Sequence, residues 1–182
     1  MNNIWLEQKQ KVSASSDEII RQFGFDRESI IKIEELVDNH KVFKWLDIYA
    51  GIDLLLKTPT GLVGIASRIQ LTRPEYYHNP QNSFTIRCEV ESGNETEIDK
   101  RQNAIINQSM RPTYTMQSYM QIENPQAFLS GALVKTDDLF DFISKYPEMV
   151  GGNNSPNNKF RFVRWSDLLD KGYPVKIVIP AK

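Results

Sequence analysis

The sequence predicts an α/β (α+β) protein built on a single mixed four- to six-stranded sheet flanked by helices. Three observations lead there. Residues 13–46 carry helix start signals and apolar residues near helical spacing. "GIDLLLKT" and "GLVGIASRIQLT" then switch to apolar runs around a Pro/Gly turn. The last third twice sets a strand directly before a helix.

Taken in order, Ser15-Ser16-Asp17-Glu18 supplies hydroxyl caps followed by acids, which suits the positive end of a helix. Gly24 breaks that helix. Asp26 is placed to cap a second one, whose stripe is Ile30, Ile31, Ile33, Leu36 and Val37. The hairpin follows, turning at Thr58-Pro59-Thr60-Gly61. "LTRPEYYHNPQN", with two prolines, reads as a loop, and "SFTIRCEV" as a third strand of strict alternation. "SGNETEIDKRQNAIINQ" reads as a helix capped by Asn94 or Thr96, with Glu97 and Arg101 at i,i+4 spacing on a solvated face. "YTMQSYMQI" is the fourth strand. "ALVKTDDLFDFI" and "KFRFVRWSDLLDKG" each read as a strand, a hydroxyl cap (Thr136, Ser166) and a helix, separated by a polar loop, "GGNNSPNN". "YPVKIVIP" closes as a short edge strand.

The 182 residues suit one domain, with a core over about 28–122 and strand–helix additions over 127–182. With 40% hydrophobic and 25% charged residues the chain has the means to fold. Its net charge of −1 gives no bulk attraction to nucleic acid or membrane, so an anion site must come from local clustering. Cys88 is the single cysteine. It excludes an internal disulfide and falls in the apolar register of its strand, as a buried thiol. His40 and His78 lack the companions of a structural zinc site. No apolar run has the length of a signal or membrane segment, and the expected location is cytoplasmic.

Side chains alternate along a strand, so parity assigns faces. Asp53 opposes Ile52 and Leu54. Arg68 and Gln70 oppose Ile69 and Leu71. Thr85 and Arg87 oppose Phe84 and Ile86, and Gln117 opposes Met116. If the apolar faces meet the helices, one polar surface gathers Asp53, Arg68, Gln70, Thr85, Arg87 and Gln117, with Gly64 and Ala66 leaving room above the second strand. Guanidinium groups suit phosphate through forked, charge-assisted hydrogen bonds. The loop "TRPEYYHNP" adds Arg73 and Tyr76, a base and an aromatic for substrate contact. "KFRFVRW" interleaves bases with aromatics, as single-strand binders do and as half-buried strands do.

A helix with acids Glu34, Glu35 and Asp38, then Gly51-Ile52-Asp53 at the head of a hairpin, then strand, helix and strand, resembles the PD-(D/E)XK nuclease superfamily, with its restriction-endonuclease-like core, over roughly residues 28–122. The resemblance implies that Asp53 binds a metal ion, Mg²⁺ or Mn²⁺, assisted by a second carboxylate from Glu34 or Asp47. It also implies that Gln70 occupies the catalytic lysine position. The second acid's place falls on Arg68, which would repel a cation. On this reading Asp53, Gln70 and Arg68 are catalytic, and Arg87, Thr85, Gln117, Arg73 and Tyr76 bind substrate. The expected partner is a nucleic acid or nucleotide phosphate, cleaved or only bound. The alternative is an inactive module of the same fold with a nucleic-acid, nucleotide or protein partner, in keeping with a phage-encoded inhibitor of host defence.

Overall fold

A computed structural model describes residues 15–36, 41–79, 82–90, 96–155 and 158–180. The centre of the fold is the hairpin of β2 (Leu54–Thr58) and β3 (Gly61–Thr72). Its turn closes as foreseen, with Thr58 Oγ1 donating to the Gly61 carbonyl at 2.9 Å. β5 (Tyr114–Gln121) lies parallel to β3, pairing Arg68 with Gln117 and Gln70 with Tyr119. β1 (Ile30–Lys32), β6 (Phe128–Lys135) and β9 (Val175–Val178) complete a six-stranded mixed sheet in the order β1-β2-β3-β5-β6-β9. Helices flank this sheet: α1 (residues 15–22) and the turn after it pack Ile19 and Phe23 onto Ile65, Met116, Met120 and Phe128, and Phe43 of α2 (Lys41–Trp45) packs against Ile33, Leu46, Ala50, Ile52 and Leu55.

The third predicted strand is real but lies elsewhere. β4 (Ser83–Val90) does not join the main sheet. It pairs with β8 (Asn158–Arg164), which pairs with β7 (Gly151–Ser155), making a second, three-stranded antiparallel sheet. Phe84, Ile86 and Val163 point from this small sheet into a cluster with Tyr119, Ala132, Val134, Trp165 and Leu168. Burying each large side chain of this kind stabilises the fold by about 2–3 kcal/mol. The two sheets, with α4 (Thr136–Lys145) and α5 (Trp165–Asp170), close this second core.

Four further expectations are corrected. Asp26 caps only a single 3₁₀ turn, Arg27–Ser29, and Ile30–Lys32 is an edge strand rather than helix, because consecutive β-branched side chains favour extended backbone. "GGNNS" is strand β7 rather than loop. Gly151 lies against the ring of Phe162, where a Cβ would fall 2.0 Å from Cζ, so glycine is what lets the two strands lie together. Thr136 and Ser166 are not caps: each lies inside the first turn, and Thr136 Oγ1 instead meets Thr115 Oγ1 at 3.0 Å. Cys88 is only partly buried. The edge position of β9 and the helix α3 (Glu97–Ile106) stand as read. Thr96 caps α3 in a reciprocal box with Asp99, while Asn94 lies outside the described residues. Among the described residues no helix is long and apolar enough to cross a membrane.

Candidate functional site: a cleft between the two sheets

Asp53 is positioned by the backbone just before β2. Its N–H donates to the Ile65 carbonyl at 3.0 Å, and its carbonyl accepts from Ile33 N–H at 2.9 Å. Its carboxylate turns inward, where Oδ2 accepts the Ser67 N–H at 2.6 Å. A cleft of about 470 Å³ opens there, between β3 and β5 on one side and β4 and α3 on the other. Asp53, Arg68, Thr85, Arg87 and Gln117 all line it, so five of the six residues expected on the polar surface share one cavity.

They converge by a different route from the one expected. β4 reaches the cleft from the small sheet, and the outer edge of its backbone is bound by side chains. Tyr119 Oη donates to the Ser83 carbonyl at 2.8 Å. The Thr85 N–H donates to Gln117 Oε1 at 3.3 Å, and the Thr85 carbonyl accepts from Arg68 Nη1 at 3.1 Å. The Arg87 N–H donates to Glu97 Oε2 at 3.4 Å. An edge strand presents free backbone groups, and here polar side chains stand in for a neighbouring strand.

Glu97, Lys100 and Arg101, read as a solvated helix face, all line the cleft, and Glu97 and Arg101 are central to it. Glu97 Oε2 accepts from Arg68 at 3.1 Å and Oε1 from Arg101 at 3.2 Å, so one carboxylate holds two guanidiniums. Arg101 is only 6% exposed. Its Nη2 reaches the Gly51 carbonyl at 3.5 Å, and a Cβ on Gly51 would lie 3.2 Å from the same nitrogen. Gly51 also has φ 62°, the left-handed conformation that ends the turn Leu46–Ala50. Glycine at position 51 therefore serves both the turn and the arginine. The signal was present as the i,i+4 acid–base pair beside the Gly-Ile-Asp head, but helical spacing does not tell which face is covered.

The electrostatics follow from enclosure. Burial pushes the Asp53 carboxyl up to about 7; the Ser67 N–H and Arg101 pull it down, while Asp47 and Glu97 push it further up. Burial likewise lowers Arg68 and Arg101 from the usual arginine range, against the attraction of Glu97. Two buried donors in the cleft walls, Arg101 Nη1 and Gln117 Nε2, have no acceptor among the described residues, and Gln117 is 1% exposed.

The other expected site residues divide. Gln70 lines a second groove, of about 700 Å³, which shares Arg68, Ile69 and Thr85 with the first. Arg73 and Tyr76 are exposed in the loop after β3 and line neither cavity. The side chain of Glu34 lies outside the described residues, as does Asp38. Gly64 does not leave open room, because Ile52 fills the space above it. The described donors do not fit Mg²⁺ or Mn²⁺. Three carboxylates line the cleft, Asp47, Asp53 and Glu97, but Asp53 Oδ2 already accepts the Ser67 N–H, Glu97 is engaged by two arginines, and the same walls carry Arg68, Arg87, Lys100 and Arg101. Among the described residues no group of three acidic, histidine or cysteine side chains is arranged to hold a metal ion. This donor set suits an anion instead.

No protein-family model matches this chain, and neither a curated protein nor a solved structure is significantly similar to it.

Proposed function

We propose that the cleft binds the phosphodiester backbone of a nucleic acid. The observation that carries this reading is the pair of buried, unpartnered donors, Arg101 Nη1 and Gln117 Nε2, in walls that also hold Arg68 and Arg87. A buried N–H without an acceptor costs about 1–3 kcal/mol, so such groups mark a place where an acceptor belongs. A phosphodiester supplies acceptor oxygens and a negative charge that arginines hold through paired hydrogen bonds. The resemblance of Gly51-Ile52-Asp53 and its hairpin to nuclease sequences points the same way.

The test is fluorescence anisotropy of short labelled DNA and RNA strands against salt. Binding should weaken as salt rises, and Arg87→Gln should reduce the logarithmic slope by about one phosphate contact. Arg87 suits this test because Glu97 is bonded to its backbone rather than to its guanidinium. Absence of binding at low salt would overturn the reading.

A second reading, cleavage, rests on Asp53. A carboxyl raised to about 7 in a cleft is matched to proton transfer near neutral pH. Asp53 would take a proton from the attacking group or give one to the leaving oxygen. Labelled strands incubated with wild type and Asp53→Asn, with Mg²⁺ or Mn²⁺ and separately with chelator, decide it. Cleavage by wild type alone supports catalysis, whereas binding without cleavage leaves the binding function standing by itself.

A further inference from the structure

The second groove answers a question that the phosphate cleft leaves open. β4 and β8 pair in a register that sets Thr85 opposite Phe162, Arg87 opposite Phe160 and Ser83 opposite Arg164. One face of the small sheet therefore carries Thr85, Arg87, Phe160, Phe162 and Arg164, while Phe84, Ile86 and Val163 of the other face enter the core. Phe160 and Phe162 belong to none of the three hydrophobic clusters of described residues. They line the 700 Å³ groove instead, with Gln70 and Gly152. The Arg68 guanidinium lies over the Phe160 ring, 5.0 Å from its centre, and that of Arg87 lies over it at 5.7 Å, so planar cations and aromatic rings together form the groove surface. Arg68 and Thr85 line both cavities, so groove and cleft adjoin on either side of these residues.

A flat aromatic surface beside a cationic phosphate seat has the chemistry of base stacking: each base has a π-face, and the flanking arginines hold the backbone. We propose that this groove is a subsite for an unpaired nucleobase, stacked against Phe160 and Phe162 while its phosphate occupies the cleft. The subsite rests on the phosphodiester reading and deepens it: the ligand is single-stranded nucleic acid or a free nucleotide, and a duplex, whose bases are already stacked on one another, is disfavoured. Gln70 lies along the groove, where its amide can meet the edge of the base.

The experiment compares ligands on unaltered protein, so it does not depend on a variant folding. Affinities are measured for a short single strand, an abasic strand of the same length and charge, the corresponding duplex, and a mononucleotide. The expected result is binding of the single strand about tenfold or more tighter than the abasic strand or the duplex. Phe160→Leu should erase that advantage, leaving the single strand bound no tighter than the abasic strand, with thermal melting as the folding control. The mononucleotide separates the two sources: affinity equal to that of the strand assigns the subsite to free nucleotides, and weaker affinity assigns it to a strand. Equal binding of abasic and normal strands would overturn the base subsite while leaving the phosphate seat intact. No binding of any of these ligands would overturn both.

Discussion

Replacement of Asp53 by asparagine should stabilise the protein at alkaline pH and lose that benefit in acid. An aspartate ordinarily titrates at 3.8, and burial raises Asp53 to about 7. The folded state therefore holds a proton that the unfolded state releases, and folding stability falls as pH rises between those two values. The difference between those two values is worth about 4 kcal/mol in full. Over an accessible window, from about pH 5.5 to about pH 8.5, the loss comes to about 2 kcal/mol. Asp53→Asn keeps an oxygen for the Ser67 N–H and removes the charge, so this pH-dependent loss should vanish in the variant. Urea unfolding at both pH values gives the comparison directly. If the difference in stability between wild type and variant were the same at both, the carboxyl would not be titrating from a buried position, and the reasoning would fail. The same proton reaches ligand binding, because an ionised Asp53 repels a phosphodiester. Affinity should decline as pH rises through about 7 in wild type and stay level in the variant.

Three further outcomes are expected. Glu97→Gln leaves the buried Arg101 guanidinium without its counter-charge and should destabilise the fold by about 2–4 kcal/mol, read from urea midpoints; an effect below about 0.5 kcal/mol would place this pair among the weak surface ones. Tyr119→Phe removes the donor to the Ser83 carbonyl and should cost about 1–3 kcal/mol by the same measurement, with no loss expected only if water replaces the hydroxyl. Millimolar Mg²⁺ should leave the melting temperature unchanged in wild type, because the described donors favour an anion; a rise of several degrees that Asp53→Asn abolishes would contradict that electrostatic account.

The sequence carried the site further than it carried the architecture, and alternation explains why. A period of two states which side chains of "SFTIRCEV" share a face, and Thr85 and Arg87 do face the cleft as parity required. Parity is silent on neighbours. β4 found its partner in β8, far along the chain, and no local pattern encodes such pairing. The polar composition of "GGNNS" spoke for a loop, yet its glycine answers a bulky ring across the strand, a contact visible only once Phe162 is opposite. The hairpin at Thr58–Gly61 and the Thr96 box were legible because their chemistry is local. Arg101 was not, since its burial depends on Gly51, fifty positions earlier, turning the backbone out of its way.

The lacing of β4 by Tyr119, Gln117, Arg68 and Glu97 ties chemistry to architecture. A descendant of this chain that no longer met its ligand would still keep these four, because discarding any of them unseams one layer from the other. Persistence of the four across relatives would therefore testify to construction alone. Asp53 is the opposite case: its charge strains the fold at neutral pH and repels a phosphodiester, so natural selection has a reason to spare it only while its carboxyl serves chemistry in the cleft.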